Sequence, residues 1–327
     1  MTARLGFLGV GWIGRSRLTA LAASGVAQVS AVADTDPDVA GEVAAAAGAG
    51  VMPVDEMLSG GGGLDGIVIA TPSAHHAEQS LRAFGAGSAV FCQKPLARTA
   101  AECASVVDAA RRADRLLDVD LSYRRLTAVD RMRDVIDSGE LGEIYAADLV
   151  FHNAYGPDKS WYTDPALSAG GCVIDLGIHL VDLALWVLGA PDVVGVTSRL
   201  FAHGQPVPPD GSVVEDHAIA RLDLRVGTAV SLSCSWFLHA GTSAVISATF
   251  YGSKGSVALA NVDGSFYDFR AVRNVGTTRT VLAEPPDEWA GRAIVGWAQR
   301  LASDSGYDPA AERFVEVARV LDRVYGR

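Results

Sequence analysis

Short apolar runs alternate with longer amphipathic segments over the first third of the chain. "ARLGFL" is such a run; it passes through glycines into "GRSRLTALAASG", which has the periodicity of a helix. "AQVSAVAD" is a second strand, and "DPDVAGEVAAAAG" is an Ala-rich helix that Asp36 can cap and Pro37 can start. The glycine run Gly60–Gly63 reads as a loop, followed by a buried strand from Gly66 to Ala70 and a further helix. "SAVFCQKPLARTAAECASVVDAARRADRLL" reads as strand, turn and helix, and "LDVDLSY" as a short strand. Strands and helices alternating at this spacing predict a doubly wound parallel sheet over residues 1–121.

Around Tyr123 the rhythm changes. "YRRLTAVDRMRDVIDSGELGEI" predicts a polar-faced helix ending at Gly139. Long strand-like runs follow, among them "YAADLVFHNAY", "EDHAIARLDLRVG" and "SAVISATFYG", several with the alternation of a half-buried antiparallel sheet. "GYDPAAERFVEVARVLDRVYGR" predicts a terminal amphipathic helix. The fold class is therefore α/β, with a second, α+β domain over residues 122–327 built on a large open, mainly antiparallel sheet. Helices on one sheet face leave the other for pairing with another copy, so a homodimer or homotetramer is expected.

Within this domain lies "SAGGCVIDLGIHLVDLALW", apolar enough for a buried helix yet interrupted by Asp175, His179 and Asp182. Composition sharpens the question of what they do. Hydrophobic residues make up 49% and charged residues 20%, a globular balance, and 27 basic against 38 acidic residues give a net charge of −11. That charge repels phosphate backbones and anionic lipid, which excludes nucleic acid and membrane surfaces as partners. No signal or membrane-spanning pattern is read, and Cys92, Cys103, Cys172 and Cys234 form no metal spacing. A cytoplasmic protein with buried free thiols and no metal is expected.

Gly9, Gly11 and Gly14 match G-x-G-x-x-G between a strand and a helix, with Trp12 and Ile13 inside the motif. The glycines serve the turn, the approach of a pyrophosphate and close helix packing, and the helix start offers free amides to phosphate. Asp34, twenty residues beyond Gly14 at the end of the second strand, suits the ribose hydroxyls of NAD and repels the extra phosphate of NADP. NAD(H) is favoured. NADP(H) stays possible because Arg15 and Arg17 are close in sequence. The strand ends also carry "TPSAHH" and "QKP", so four motifs converge on the ligand end of a Rossmann sheet.

Together these motifs resemble the Gfo/Idh/MocA family of sugar and cyclitol oxidoreductases, along essentially the whole chain. "ATPSAHH" is similar to the family's Ala-Thr-Pro-Asn-x-x-His: Thr71, Pro72 and His76 match, and Ser73 replaces Asn. "QKPLA" is similar to its Glu-Lys-Pro, with Gln93 in place of Glu before Lys94 and Pro95. Gly170, Gly171, Asp175, Gly177, His179 and Asp182 match Gly-Gly-x-x-x-Asp-x-Gly-x-His-x-x-Asp. The resemblance implies cofactor contacts from Thr71, Pro72, Ser73, His76, Gln93 and Lys94, and a catalytic set of Lys94, Asp175 and His179. Hydride transfer needs a group to take or give the hydroxyl proton, and an imidazole titrating near neutrality suits that task. Asp175 precedes His179 by one helical turn and can orient it, support its charged form, or bind a second hydroxyl. Asp182 fits a structural hydrogen bond better. Tyr123, Arg125, His152, Asn153, Tyr155, Trp161 and Tyr162 are the candidates to line a sugar or polyol pocket. Two other functions fit the same residues: transient NAD-dependent oxidation serving elimination or glycoside cleavage, and a nucleotide-bound sensor or scaffold without turnover.

Overall fold

A computed structural model describes residues 2–208 and 212–327, without the side chain of Ala166. The chain divides into two compact units: Met1–Ser122 with Ala290–Ala318, and Tyr123–Trp289 with Arg319–Arg327. The sequence reading put residues 290–318 in the second domain. The reason for their place in the first is apolar. Helix Arg292–Ser303 sends Trp297, Ile294, Ala298 and Leu301 into the core under the parallel sheet, where the Trp297 ring lies 5.6 Å from that of Phe91.

Among the described residues the first unit holds one six-stranded parallel sheet. Its strands are β1 (Ala3–Leu8), β2 (Ala27–Ala33), β3 (Gly50–Val51), β4 (Gly66–Ile69), β5 (Ala89–Cys92) and β6 (Leu117–Val119), in the order β3-β2-β1-β4-β5-β6. Strands β4 and β5 are buried along their whole length, as expected for strands covered on both faces. Helices Trp12–Ser24, Pro37–Ala47, Ser73–Gly85 and Ala100–Ala113 connect them. Asp36 caps the second of these by accepting from the amides of Asp38 and Val39. A Cβ on Gly66 would come within 2.7 Å of the Trp297 ring, so β4 carries a glycine where that helix presses on it.

The second unit holds a nine-stranded sheet among the described residues, β7 (Ile144–Asn153) to β15 (Thr278–Ala283), in the order β15-β14-β13-β12-β7-β11-β10-β8-β9. The strands between are β8 (Val193–Ala202), β9 (Gln205–Pro206), β10 (His217–Leu224), β11 (Ala229–Ser235), β12 (Ala244–Gly252), β13 (Gly255–Asn261) and β14 (Phe269–Val275). The pair β7 and β11 is parallel and the other pairs are antiparallel. Buried and half-exposed residues alternate along β10, β11 and β12, so one face is covered and the other open. Helices Thr127–Asp137 and Ile178–Val187 pack on the covered face. No helix among the described residues is long and apolar enough to cross a membrane.

Candidate functional site

In the first unit the predicted cofactor residues gather at the carboxyl ends of β1, β2, β4 and β5. Gly9 has φ +83° and passes so close to β4 that a Cβ would meet the Ala70 carbonyl oxygen at 2.6 Å. A Cβ on Gly14 would lie 2.2 Å from the Gly9 oxygen, which enforces close helix packing. Gly11 is different: a Cβ there would meet nothing within 4 Å. The protein's own packing gives no reason for glycine at this position, whereas a phosphate approaching the helix start does. No side chain caps that helix, so its first amides remain to serve such a ligand. These features fit a dinucleotide. Trp12 is 74% exposed beside the loop, and Ile13 is half-buried.

Asp34 follows β2. Its Oδ2 accepts from the Val10 amide at 2.8 Å and its Oδ1 from the Asp36 amide at 3.1 Å, which fixes the carboxylate against the glycine loop. The two arginines that kept NADP in view are committed elsewhere. Arg15 pairs with Glu42, and Arg17 is buried in an ion pair with Asp120.

Ser73 opens its helix and is buried after Pro72, and the Thr71 hydroxyl donates to Gln79. His76, expected at the cofactor, lies between two loop carbonyls. It is buried, with Nδ1 2.7 Å from the Pro95 oxygen and Nε2 2.7 Å from the Thr71 oxygen. Burial pulls its pKa below the ordinary histidine value, while the two carbonyls pull the other way. His76 is thus a brace between the loops after β4 and β5. Gln93 is buried; Lys94 is half-exposed and joined to Pro95 by a cis peptide.

In the second unit the motif "GGCVIDLGIHLVD" begins with one turn of π-helix, Val173–Gly177, and continues as the α-helix Ile178–Val187. Over residues 171–187 every side chain is buried except those of Asp175, His179 and Trp186. Asp175 Oδ2 accepts from Trp236 Nε1 at 3.0 Å. The His179 ring lies 4.9 Å from that of Tyr123 and 6.3 Å from that of Phe151. Asp182 is 2% exposed and chelated by Arg124, whose guanidinium also stacks on Trp186. Asp182 is therefore a support, as expected.

The predicted lining residues separate. Tyr123 is buried within a cluster of Phe151, His179, Phe269 and Trp289, and burial pushes its hydroxyl pKa up. Trp161 and Tyr162 stack at 3.8 Å, and Tyr162 meets Trp236 edge-on. Burial, then the Asp175 charge, raises the Tyr162 pKa. Arg125 is half-buried in the turn Ser122–Arg125. Asn153 Oδ1 accepts from the Tyr155 amide and closes its own turn, and Tyr155 is 60% exposed. His152 does not join this group. Phe151 points to the covered face, so by alternation His152 points to the open one, against Ser235 and stacked on His217. Sequence reasoning missed Trp236 and Trp289, because neither lies in a motif and only tertiary structure brings them to Asp175 and Tyr123. No group of three or more His, Cys, Asp or Glu able to hold a metal occurs among the described residues.

Two family models match the chain. One, an oxidoreductase family with an NAD-binding Rossmann fold, covers residues 3–121; the other, the GFO/IDH/MocA C-terminal domain, covers residues 129–258. The chain is 32% identical over 237 residues to inositol 2-dehydrogenase 3 of Saccharopolyspora erythraea, covering 69% of this chain and 67% of that protein. It is 30% identical over 273 residues to the inositol 2-dehydrogenase of Rhizobium meliloti, covering 80% and 76%. In fold it is similar to levoglucosan dehydrogenase in complex with NADH and levoglucosan, with a TM-score of 0.83 at 21% identity over 100% of this chain and 97% of that one.

Proposed function

Because the chain belongs to the Gfo/Idh/MocA family of oxidoreductases, we propose that it is an NAD-dependent dehydrogenase or reductase of a sugar, sugar derivative or cyclitol. Its catalytic residues in this reading are Lys94, Asp175 and His179. The observation that carries it is the burial pattern of residues 171–187, in which an otherwise buried helix opens only at Asp175, His179 and Trp186. An apolar helix needs no partly exposed polar groups for its own packing, and this pair suits a substrate.

Bound nicotinamide would supply the hydride acceptor or donor. The remaining work belongs to the chain. His179 takes or returns the hydroxyl proton, and its ring plane is set by Tyr123 and Phe151. Asp175, oriented by the Trp236 indole, holds the imidazole or a neighbouring hydroxyl. Lys94 stabilises charge on the reacting oxygen as the proton moves. Trp161 and Tyr162, both partly exposed, offer apolar faces of the kind that sugar rings pack against, and the buried Trp236 backs Tyr162. Asp34 and the paired Arg15 and Arg17 favour NAD over NADP. The open sheet face is assigned to a second copy, giving a homodimer or homotetramer that light scattering identifies. The protein is read as cytoplasmic.

The test is a panel of inositols, aldoses, glucosides and uronates, followed by NADH absorbance with NAD and with NADP. NADH should form from NAD with at least one member. Lys94→Ala and His179→Ala should each lower kcat by about a hundredfold or more while NADH still binds. Product without net NADH would favour transient oxidation. Silence across the panel despite tight NADH binding would favour a sensor.

A further inference from the structure

Three side chains of the first unit meet at one oxygen. Asp120 Oδ2 accepts from Arg17 Nε and from Gln93 Nε2, each at 2.5 Å. Arg17, Gln93 and Asp120 are 6%, 7% and 1% exposed, so the contact is made out of water. The backbone joins the same two strand ends, since the Asp120 amide donates to the Cys92 oxygen. Arg17 belongs to the helix that Gly11 opens, and Gln93 is bonded directly to Lys94.

A buried carboxylate needs a counter-charge and satisfied lone pairs. At Oδ2 Arg17 supplies the charge and the Gln93 amide a donor without adding another, while Oδ1 is buried with no hydrogen-bond partner among the described residues. A carboxylate at position 93 would instead set two like charges against each other at the same oxygen. The departure from Glu-Lys-Pro at Gln93 therefore has a physical counterpart one strand away.

We propose that Asp120 is a positioning residue for Lys94, acting through Gln93. Its carboxylate stands in for the acidic side chain that the tripeptide motif carries beside the lysine. Arg17 ties this arrangement to the helix whose amides face the dinucleotide, so one oxygen sets both the cofactor helix and the strand end that carries Lys94. The proposal rests on the assignment of Lys94 made above.

The experiment compares Asp120→Asn, Gln93→Glu, Gln93→Met and the double variant Q93E/D120N with wild type and Lys94→Ala. Steady-state rates use NAD and the panel member of highest turnover, and NADH affinity is read by fluorescence. Each single variant should lose about tenfold or more in kcat with NADH affinity within about threefold of wild type. The double variant should regain kcat to within about threefold, because the charge has only changed places. A double variant no better than the two losses combined overturns the proposal. So does a Gln93→Met protein with unchanged kcat. That variant leaves the Arg17–Asp120 pair intact and so decides the matter if Asp120→Asn does not fold.

A second arm needs no substrate. The chain has three lysines, and Lys159 and Lys254 are exposed, which makes them internal standards. Reductive methylation of the NAD-loaded protein, mapped by mass spectrometry, should show the relative rate at Lys94 changed by about threefold or more in Gln93→Met and restored in Q93E/D120N. Unchanged labelling overturns the proposal. Full turnover by Lys94→Ala would instead remove the catalytic reading of Lys94, while the labelling still reports whether Asp120 positions it.

Discussion

Phe151 and His152 are neighbours in β7, and their side chains serve opposite faces of one sheet. Phe151 touches the ring cluster around His179, and His152 stacks on His217 at 5.8 Å. Burial, with His217 a lesser cause, pulls the His152 pKa down to about 4. In the unfolded chain it titrates near 6.5. The unfolded state therefore binds the extra proton first as pH falls. His152 leaves stability untouched above about pH 6.5 and lowers it progressively down to about pH 4. For a ring this open to solvent the loss should be about 1–2 kcal/mol. Denaturant melts at several pH values should show a shallower acid slope for His152→Gln than for wild type; equal slopes would refute the assignment. Alternation was legible in the sequence, but the face that each residue of β7 serves was not. "FHNAY" reads as a rim in either register, and only the packed helix distinguishes the faces.

At the scale of elements, the π-turn Val173–Gly177 is held from outside the motif. Glu215 Oε1 accepts from the amides of Gly171 and Val173 at 3.0 and 2.9 Å and from the Tyr325 hydroxyl at 2.7 Å. Burial raises the Glu215 pKa against the pull of these donors. The paired glycines of the motif are what this clamp requires. A Cβ on Gly171 would lie 1.8 Å from the Glu215 carbonyl oxygen, and Gly170, at φ +155°, passes where a Cβ would meet the Tyr325 hydroxyl at 2.1 Å. Tyr325→Phe should cost about 1–2 kcal/mol in denaturant melts. It should lower kcat more than it alters NADH affinity, since it loosens only the turn that bears Asp175. A variant as stable and as active as wild type would separate the tyrosine from the clamp. The motif itself was legible because its spacing is local. The clamp was not, because it joins residues 42 to 44 positions apart, and 110 in the case of Tyr325.

For the whole molecule, the strand and helix rhythm announced a parallel sheet followed by an antiparallel one, and both are present. The segment that returns to the first unit escaped notice because nothing local marks it. "RAIVGWAQRLAS" is an ordinary amphipathic helix, and its partners are strands more than two hundred residues earlier. A fragment ending at residue 121 therefore lacks Trp297, which is fully buried, along with Ile294 and Ala298. Removing several large core side chains costs well beyond about 5 kcal/mol, comparable to the stability of a domain. The fragment should be molten or insoluble on its own. Adding a peptide spanning residues 290–318 should restore a cooperative thermal transition; a cooperative transition without it would show that the helix is dispensable.

Order of synthesis gives this segment a further consequence. The unit that reads the dinucleotide is translated before the second sheet, yet its hydrophobic interior stays open while that entire sheet is made. Trp297 emerges only after the last strand of the second sheet, β15. Until then the nascent parallel strands present the apolar face that Trp297 later covers, and that is where a chaperone would find its longest window.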